Sequence, residues 1–429
     1  MLDRITAPKY TIIEDIEPLH PEVFELDNGV KVYYFFADEQ DCVKFDFVFE
    51  AGSYFQNKSY VAYFTNKLLL EGTNNYTAAQ ISEIFDEKGA FINTEVGKDD
   101  ASLSFFSLNK HLDSLLPIVT EILTEANFDE KELAQKIEAE KQDFLVDNEK
   151  VSTINRKLFL QKLYGNDHPY GRFGLYEEFD AVENSLLKQF YQQYYHAQNM
   201  VIFAAGKITK DVLKQLNNTV GKAWSKSAHI QLIKKEIPFN KKFIPEKSVV
   251  AKEGAIQSSI RIGMPTFTYN HPDFFKLKLL SSILGGYFGS RLMMNIREDK
   301  GFTYGIGSGL QSYKKHGFFV ISTEVGVEVA NEAVKEIFFE INRLKTELIS
   351  KEELSLVKNY MVGNILRSLD GAYDLAERYK SLHQHSLDLK FYKNYLKTIK
   401  ETNSEELKDL ASQYLDEKKL TTLIVGTKE

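Results

Sequence analysis

Hydrophobic and polar positions alternate from early in the chain. In "VFELDNGVKVYYFF" (23–36), Asn28-Gly29 separates two alternating apolar runs, a pattern that predicts a β-hairpin. "VKFDFVFEAGS" (43–53) sets Val43, Phe45, Phe47 and Phe49 against Lys44, Asp46 and Glu50, the two-residue period of a half-buried strand. The period then lengthens. "YVAYFTNKLLLEGT" (60–73) reads as a helix from Tyr60 to Leu70 running into a glycine stop. Thr77-Ala-Ala-Gln80 is a capping box opening a helix through Ile81 and Phe85 toward Gly89. Strand patterns return in "AFINTEVG" and "ASLSFFSL", and two longer helical stretches follow, the second opened by Asp129-x-x-Glu132.

The same order of elements recurs at an offset of about 220 residues. "YYHAQNMVIFAAGK" (194–207) falls on "YLDEKKLTTLIVGTK" (414–428), placing Tyr194 on Tyr414 and Gly206 on Gly426. Asp129 to Leu133 likewise falls on Ser350 to Leu354, two helix starts of one design. Between the halves, residues 222–247 hold seven Lys against two Glu, with Pro238 and Pro245 interrupting any regular element. The expected organisation is an N-terminal lobe (1–221), a basic linker (222–247) and a C-terminal lobe (248–429), two duplicated α+β halves facing each other across a cavity.

Composition fits this plan and removes other classes. The chain has 429 residues, 43% hydrophobic and 27% charged, enough for two cores and typical of globular proteins. A net charge of −8 gives no footprint for nucleic acid. The first residues, "MLDRITAPKYTIIEDIEP", carry acids where a signal peptide needs an apolar stretch, and no apolar run reaches membrane length, so a cytoplasmic, membrane-free protein is expected. A single cysteine, Cys42, excludes an internal disulfide; beside a strand it reads as a packed thiol.

The first candidate chemistry lies on the helix before Gly72. Tyr63, Asn66 and Lys67 stand at i, i+3 and i+4, a spacing that puts three side chains on one helix face. Several blocks carry a resemblance here. "AGSYFQNKSYVAYFTNKLLLEGT", "GAFINTEVGKDDASLSFF", "HPYGR", "HPDFFKLKLLSSILGGYFGSRL" and "REDKGFTYG" occur in the order found in the insulinase and pitrilysin zinc peptidases, the inverzincins, and the chain resembles the processing-peptidase type within them. The resemblance implies two homologous α/β-roll lobes, each a mostly antiparallel sheet covered by helices on one side, forming a clam.

In that family the two histidines of H-x-x-E-H bind zinc and the glutamate between them is the general base. This sequence has Tyr63 and Lys67 at the histidine positions and Asn66 at the glutamate position. A neutral phenol is a poor ligand, an ammonium repels a dication and an amide takes no proton. The family's further ligand aligns near Glu140, with Glu138 and Lys141 adjacent. The resemblance therefore implies a member with no metal of its own. Two readings of Lys67 stand side by side: its ammonium replaces the missing cation opposite Glu140, or it extends to solvent.

Arg297 and Tyr304, in "NIREDKGFTYGIGSG", match the Arg and Tyr that active relatives present to substrate from the second lobe. A guanidinium and a phenol suit a peptide carbonyl and the oxyanion formed from it; the bland alternative pairs Arg297 with Glu298 or Asp299 on a surface. Motif lost and Arg/Tyr pair kept implies the zinc-less, non-catalytic subunit of a heterodimeric metallopeptidase. A zinc-bearing H-x-x-E-H partner would supply metal and base, and peptide or unfolded polypeptide would be the substrate, added as a strand to a sheet edge. The alternatives are an assembly scaffold and a peptide-binding chamber without catalysis.

Other loci read as structural. His168 and Arg172 in "HPYGR" sit in a turn, His383 and His385 at i, i+2 diverge on a helix, and His271-Pro272 reads as a helix entrance. "GGYFGSRL" lacks the ending of a phosphate loop.

Overall fold

A computed structural model describes residues 15–224, 237 and 243–426. Most of the expected linker, 222–247, therefore lies outside the described residues, as do Lys428 and its neighbours at the end of the second repeat.

The N-terminal sheet comprises β1 (Glu22–Glu25), β2 (Lys31–Phe36), β3 (Cys42–Phe49), β4 (Phe91–Val96), β5 (Ala101–Leu108) and β6 (Met200–Gly206), in the order β1-β2-β6-β3-β5-β4. The C-terminal sheet comprises β7 (Lys247–Ala251), β8 (Gln257–Thr266), β9 (Ile306–Ser312), β10 (Gly317–Gly326) and β11 (Thr421–Gly426), in the order β7-β11-β8-β10-β9. Without β1 the two orders are the same arrangement. Each has one parallel pair, β2 with β6 and β7 with β11, and is otherwise antiparallel. The repeat read from the sequence is thus a repeat of topology.

Helices follow in the same rhythm. The first half contains α1 (Val61–Lys67), α2 (Ala78–Glu87), α3 (Leu112–Thr124), α4 (Glu130–Asn148), α5 (Val151–Tyr164), α6 (Asn184–Tyr194) and α7 (Lys210–Ala223). The second contains α8 (Phe274–Gly285), α9 (Ala330–Thr346), α10 (Lys351–Arg367), α11 (Ala372–Gln384), α12 (Lys390–Glu401) and α13 (Ser404–Tyr414). Local signals act as anticipated at several ends. Thr77 and Gln80 form the reciprocal capping box of α2, and Asp129 and Ser350 cap the equivalent helices α4 and α10 through side-chain oxygens. The helix expected over Tyr60 to Leu70 is α over Val61–Lys67 and tightens to a 3₁₀ turn over Leu68–Leu70. His271-Pro272 stands before rather than inside α8, which is entered from Asp273.

One face of each sheet carries its own core. Val43, Phe45, Phe47 and Phe49 are all buried, with Leu115, Leu116 and Val119 of α3 in the same cluster. The opposite faces are covered by exchange. α5, from the first half, lies on β8 and β11 of the C-terminal sheet, and α11, from the second half, lies on β6 and β2 of the N-terminal sheet. Phe159, Leu160 and Leu163 of α5 are buried with Val320, Leu423 and Val425, and Leu375 and Ala376 of α11 with Phe35 and Ala205. Helices on one side of each sheet, as expected from sequence, describe only the lobe's own contribution; the second face receives one helix from the other half. Buried polar contacts fix the exchange. Asn155 donates to the Ser259 and Leu423 carbonyls at 2.6 and 3.2 Å, and Asp46, 4% exposed, accepts from Lys380 of α11 at 3.0 Å.

Candidate functional site

α1 lies over the first core with Ala62, Phe64, Thr65 and Asn66 buried and Tyr63 and Lys67 on its partly exposed side. The three motif positions therefore do not act on one point. Asn66 turns inward, donating to the Ser102 carbonyl at 3.3 Å and to the Tyr195 hydroxyl at 3.2 Å, while its own Oδ1 is buried without a partner. A side chain at i+3 is rotated off the i, i+4 row, and here that rotation takes it under the helix.

Tyr63, not Lys67, reaches Glu140. The phenol hydroxyl donates to Glu140 Oε1 of α4, and burial first, then this carboxylate, holds the phenol above its ordinary pKa. Lys67 Nζ lies 5.9 Å from the centre of the Tyr63 ring and makes no ion pair among the described residues. Of the two readings of Lys67, the bridge to Glu140 is not present among the described residues, and the Tyr63 hydroxyl makes that contact instead. Glu138 and Lys141 belong to a separate pair, with Lys141 3.0 Å from Glu138 and 2.8 Å from Asp180. Such a set does not fit zinc, since its phenol is kept protonated, its amide is turned into the core and its third member is a cation. Among the described residues no group of three or more His, Cys, Asp or Glu side chains is placed to hold a metal ion.

Beside Tyr63 opens a cavity of about 360 Å³ lined by Tyr60, Lys98, Arg156, Arg172 and, from the second half, Tyr313. Lys98 donates to the Pro169 and Arg172 carbonyls at 3.1 Å, and burial, with the Arg156 charge behind it, brings its pKa down to about 8.

Arg297 and Tyr304 lie in the C-terminal lobe, in different local surroundings. Arg297 sits on the π-helical turn Met293–Asp299, its Nε 3.4 Å from Glu298 and its guanidinium 4.8 Å from the Phe288 ring centre. Tyr304 is 93% exposed and lines a cavity of about 370 Å³ with Ser152, Ser259, Arg261 and Glu324; Arg297 does not line it. Sequence reasoning missed what connects this cavity to the one beside Tyr63. Ser152 and Arg156, one turn apart on α5, line one cavity each. Arg261 Nε is buried without a partner, and burial followed by the Arg156 charge lowers the Arg261 pKa. In the sequence both arginines sit in ordinary amphipathic surroundings, and no spacing singles them out.

The remaining loci are structural in placement. His168 is buried, its Nδ1 accepts from the Tyr170 amide at 3.2 Å, and burial, with His316 adjacent, pulls its pKa down to about 4. His383 packs near Tyr33 and Phe203, whereas His385 ends α11 and meets Tyr269. "GAFINTEVG" forms β4, an edge strand of its sheet. No described helix is long and apolar enough to cross a membrane.

Known proteins share this architecture. The chain is 26% identical over 311 residues to the "Uncharacterized zinc protease YmxG" of Bacillus subtilis, covering 72% of this chain and 74% of that one. It is 24% identical over 379 residues to the "Non-peptidase homolog YmxG" of Helicobacter pylori, covering 85% and 83%. A crystal structure of a peptidase M16 inactive domain from Pseudomonas fluorescens superposes with a TM-score of 0.86 at 24% identity, covering 96% of this chain and 99% of that one. Residues 36–168 match the insulinase (peptidase family M16) family model, and residues 182–361 match that of the peptidase M16 inactive domain. Duplicated sheets, exchanged helices and these two consecutive matches agree: the chain belongs to the insulinase, or peptidase M16, family, as a member without its zinc-binding motif.

Proposed function

We propose that this chain is the non-catalytic subunit of a heterodimeric metallopeptidase, working in the cytoplasm with a zinc-bearing family member. The observation that carries the reading is the contrast between the engaged phenol of the degenerate motif and the exposed phenol of the second lobe. Tyr63 is committed to Glu140, whereas Tyr304 projects with 93% of its surface free. A phenol so placed is a hydrogen-bond donor available to a peptide carbonyl on a facing lobe. Arg297 supplies charge to the same peptide after leaving Glu298, a surface pair of small worth. Zinc and general base reside in the partner, and peptide or unfolded polypeptide is the substrate.

The test is peptide cleavage by this chain, by a zinc-bearing family member from the same genome, and by the mixture, with Arg297→Ala and Tyr304→Phe alongside. Activity confined to the mixture and lost in both variants supports the reading. A partner that cleaves equally well alone removes it.

A second reading rests on Arg297 itself. Its ion pair with Glu298 and its stacking on Phe288 are what an assembly scaffold, with no substrate to grip, would keep. In that case both variants leave the mixture's activity unchanged.

A further inference from the structure

The repeat gives every residue of the degenerate motif a counterpart in the second half. Gly206 matches Gly426, so Ala204 matches Ile424; Phe45 faces Ala204 and Ile260 faces Ile424, and Phe45 therefore matches Ile260. Carried along the chain from that match, Tyr63, Asn66 and Lys67 fall on Lys278, Ser281 and Ser282. Burial follows the same register: Asn66 and Ser281 are buried, whereas Tyr63 and Lys67 in one helix and Lys278 and Ser282 in the other keep solvent contact. The match of Asp129 with Ser350 places Glu140 on Met361.

Lys278, Ser282 and Met361 line one pocket of about 310 Å³, between α8, α10, α11 and α12. Where the first half closes its site with a phenol–carboxylate contact, the second leaves it open and makes it cationic. Arg378 of α11 lines the same pocket, and no carboxylate does. Neither the Lys278 nor the Arg378 side chain makes an ion pair or hydrogen bond among the described residues; Lys278 Nζ lies 5.8 Å from the centre of the Tyr395 ring. Both cations remain reachable by solvent. Protein nonetheless surrounds Lys278 closely enough that burial, reinforced by the Arg378 charge, lowers its pKa. Two like charges facing one concave space without a counter-ion are relieved by an anion. The rest of the wall combines aromatic and aliphatic side chains, among them Leu382, Leu387 and Phe391, with the polar Asn364, Ser368 and Ser381.

We propose that this pocket binds the free C-terminal carboxylate of a peptide whose last residue is large and apolar. Arg378 receives the carboxylate through its planar fork, Lys278 adds a point charge, and the aromatic wall takes the side chain. A volume of about 310 Å³ suits one terminal residue rather than a longer segment. That the ligand is a peptide rests on the function proposed above; the cationic pocket itself does not.

The experiment measures binding by the chain alone, with no partner and no cleavage, so its outcome is separate from that of the mixed assay. Fluorescein-labelled hexapeptides ending in Phe, as free acid and as amide, are titrated by polarisation, with inorganic phosphate as competitor. The expected result is a free acid bound at least about tenfold more tightly than the amide, and a similar loss in Lys278→Met and Arg378→Gln. Equal affinity of acid and amide for the unmodified chain overturns the proposal whether or not the variants fold. So does phosphate binding with no peptide preference, which would make the pocket a site for small inorganic anions. An acid preference that survives both substitutions in folded variants places the carboxylate elsewhere and equally overturns it.

Discussion

The Tyr63 hydroxyl of α1 donates to Glu140 of α4, joining two of the positions that the sequence resemblance aligns with the family's metal-binding residues. This contact, rather than one from Lys67, sets the energetics of the degenerate motif. Tyr63→Phe leaves a partly buried carboxylate without its donor and is expected to cost about 1–2 kcal/mol. Lys67→Ala, which removes an ammonium with no ion pair among the described residues, is expected to stay within about 0.5 kcal/mol. Urea unfolding of the two variants checks the order; a larger loss from Lys67→Ala would restore the salt-bridge reading.

The same geometry predicts that a metal site is recoverable. Tyr63 and Lys67 share the outer side of α1, and Glu140 already stands within reach of the first. Replacing both with histidine, Tyr63→His with Lys67→His, supplies two imidazoles at i and i+4 and leaves Glu140 free as the third ligand. Asn66 is left alone because a carboxylate in its fully buried place would face the Ser102 carbonyl, an acceptor, and bury a charge with no cation against it. Zinc retained after dialysis is expected to rise to about one ion per chain and to fall again when Glu140→Gln is added. No retention by the folded double variant would show that α1 and α4 are not spaced for a metal.

The parts legible in the sequence were those written in local code. The Asn28-Gly29 turn, the Thr77 capping box and the matched glycines each follow from the chemistry of a few adjacent residues. The pairing of Tyr63 with Glu140 and the exchange of α5 and α11 were not legible, because both depend on which of several polar neighbours a distant helix presents. Arg156 and Arg378 illustrate the limit: each reads as one more charge on an amphipathic helix, and only the packed neighbours show that their facing walls lack a carboxylate.

Gly206 and Gly426 end equivalent strands, and both have left-handed backbone, φ of 109° and 129°. An added Cβ would stand 2.3 Å from the Cys42 carbonyl oxygen at the first and 2.4 Å from the Gln257 carbonyl oxygen at the second. Neither obstacle is a flexible side chain. Gly206→Ala and Gly426→Ala are therefore each expected to cost about 2–4 kcal/mol, combining backbone strain with overpacking. Thermal unfolding of both tests whether the repeat extends to energetics; a loss at only one would confine the requirement to that lobe.

Where the halves meet, two largely enclosed groups titrate in opposite senses. His168, among Tyr54, Tyr164 and Tyr170 and beside His316, has its folded pKa lowered from 6.5 to about 4. Its contribution to stability is present above pH 6.5 and is lost as pH falls toward 4, where the unfolded chain takes the proton and the folded one does not. Asp100 behaves inversely. Burial, opposed by Lys314 and aided by Asp99 and Glu50, raises its folded pKa from 3.8 to about 6, so the folded state binds the extra proton and gains as pH falls from 6 toward 4. The two partly cancel in the parent chain, and single variants should separate them. His168→Gln is expected to become relatively more stable on acidification through this window, and Asp100→Asn relatively less. Urea midpoints measured across it give both slopes. Parallel slopes for the two variants and the parent would mean that neither group titrates differently on folding.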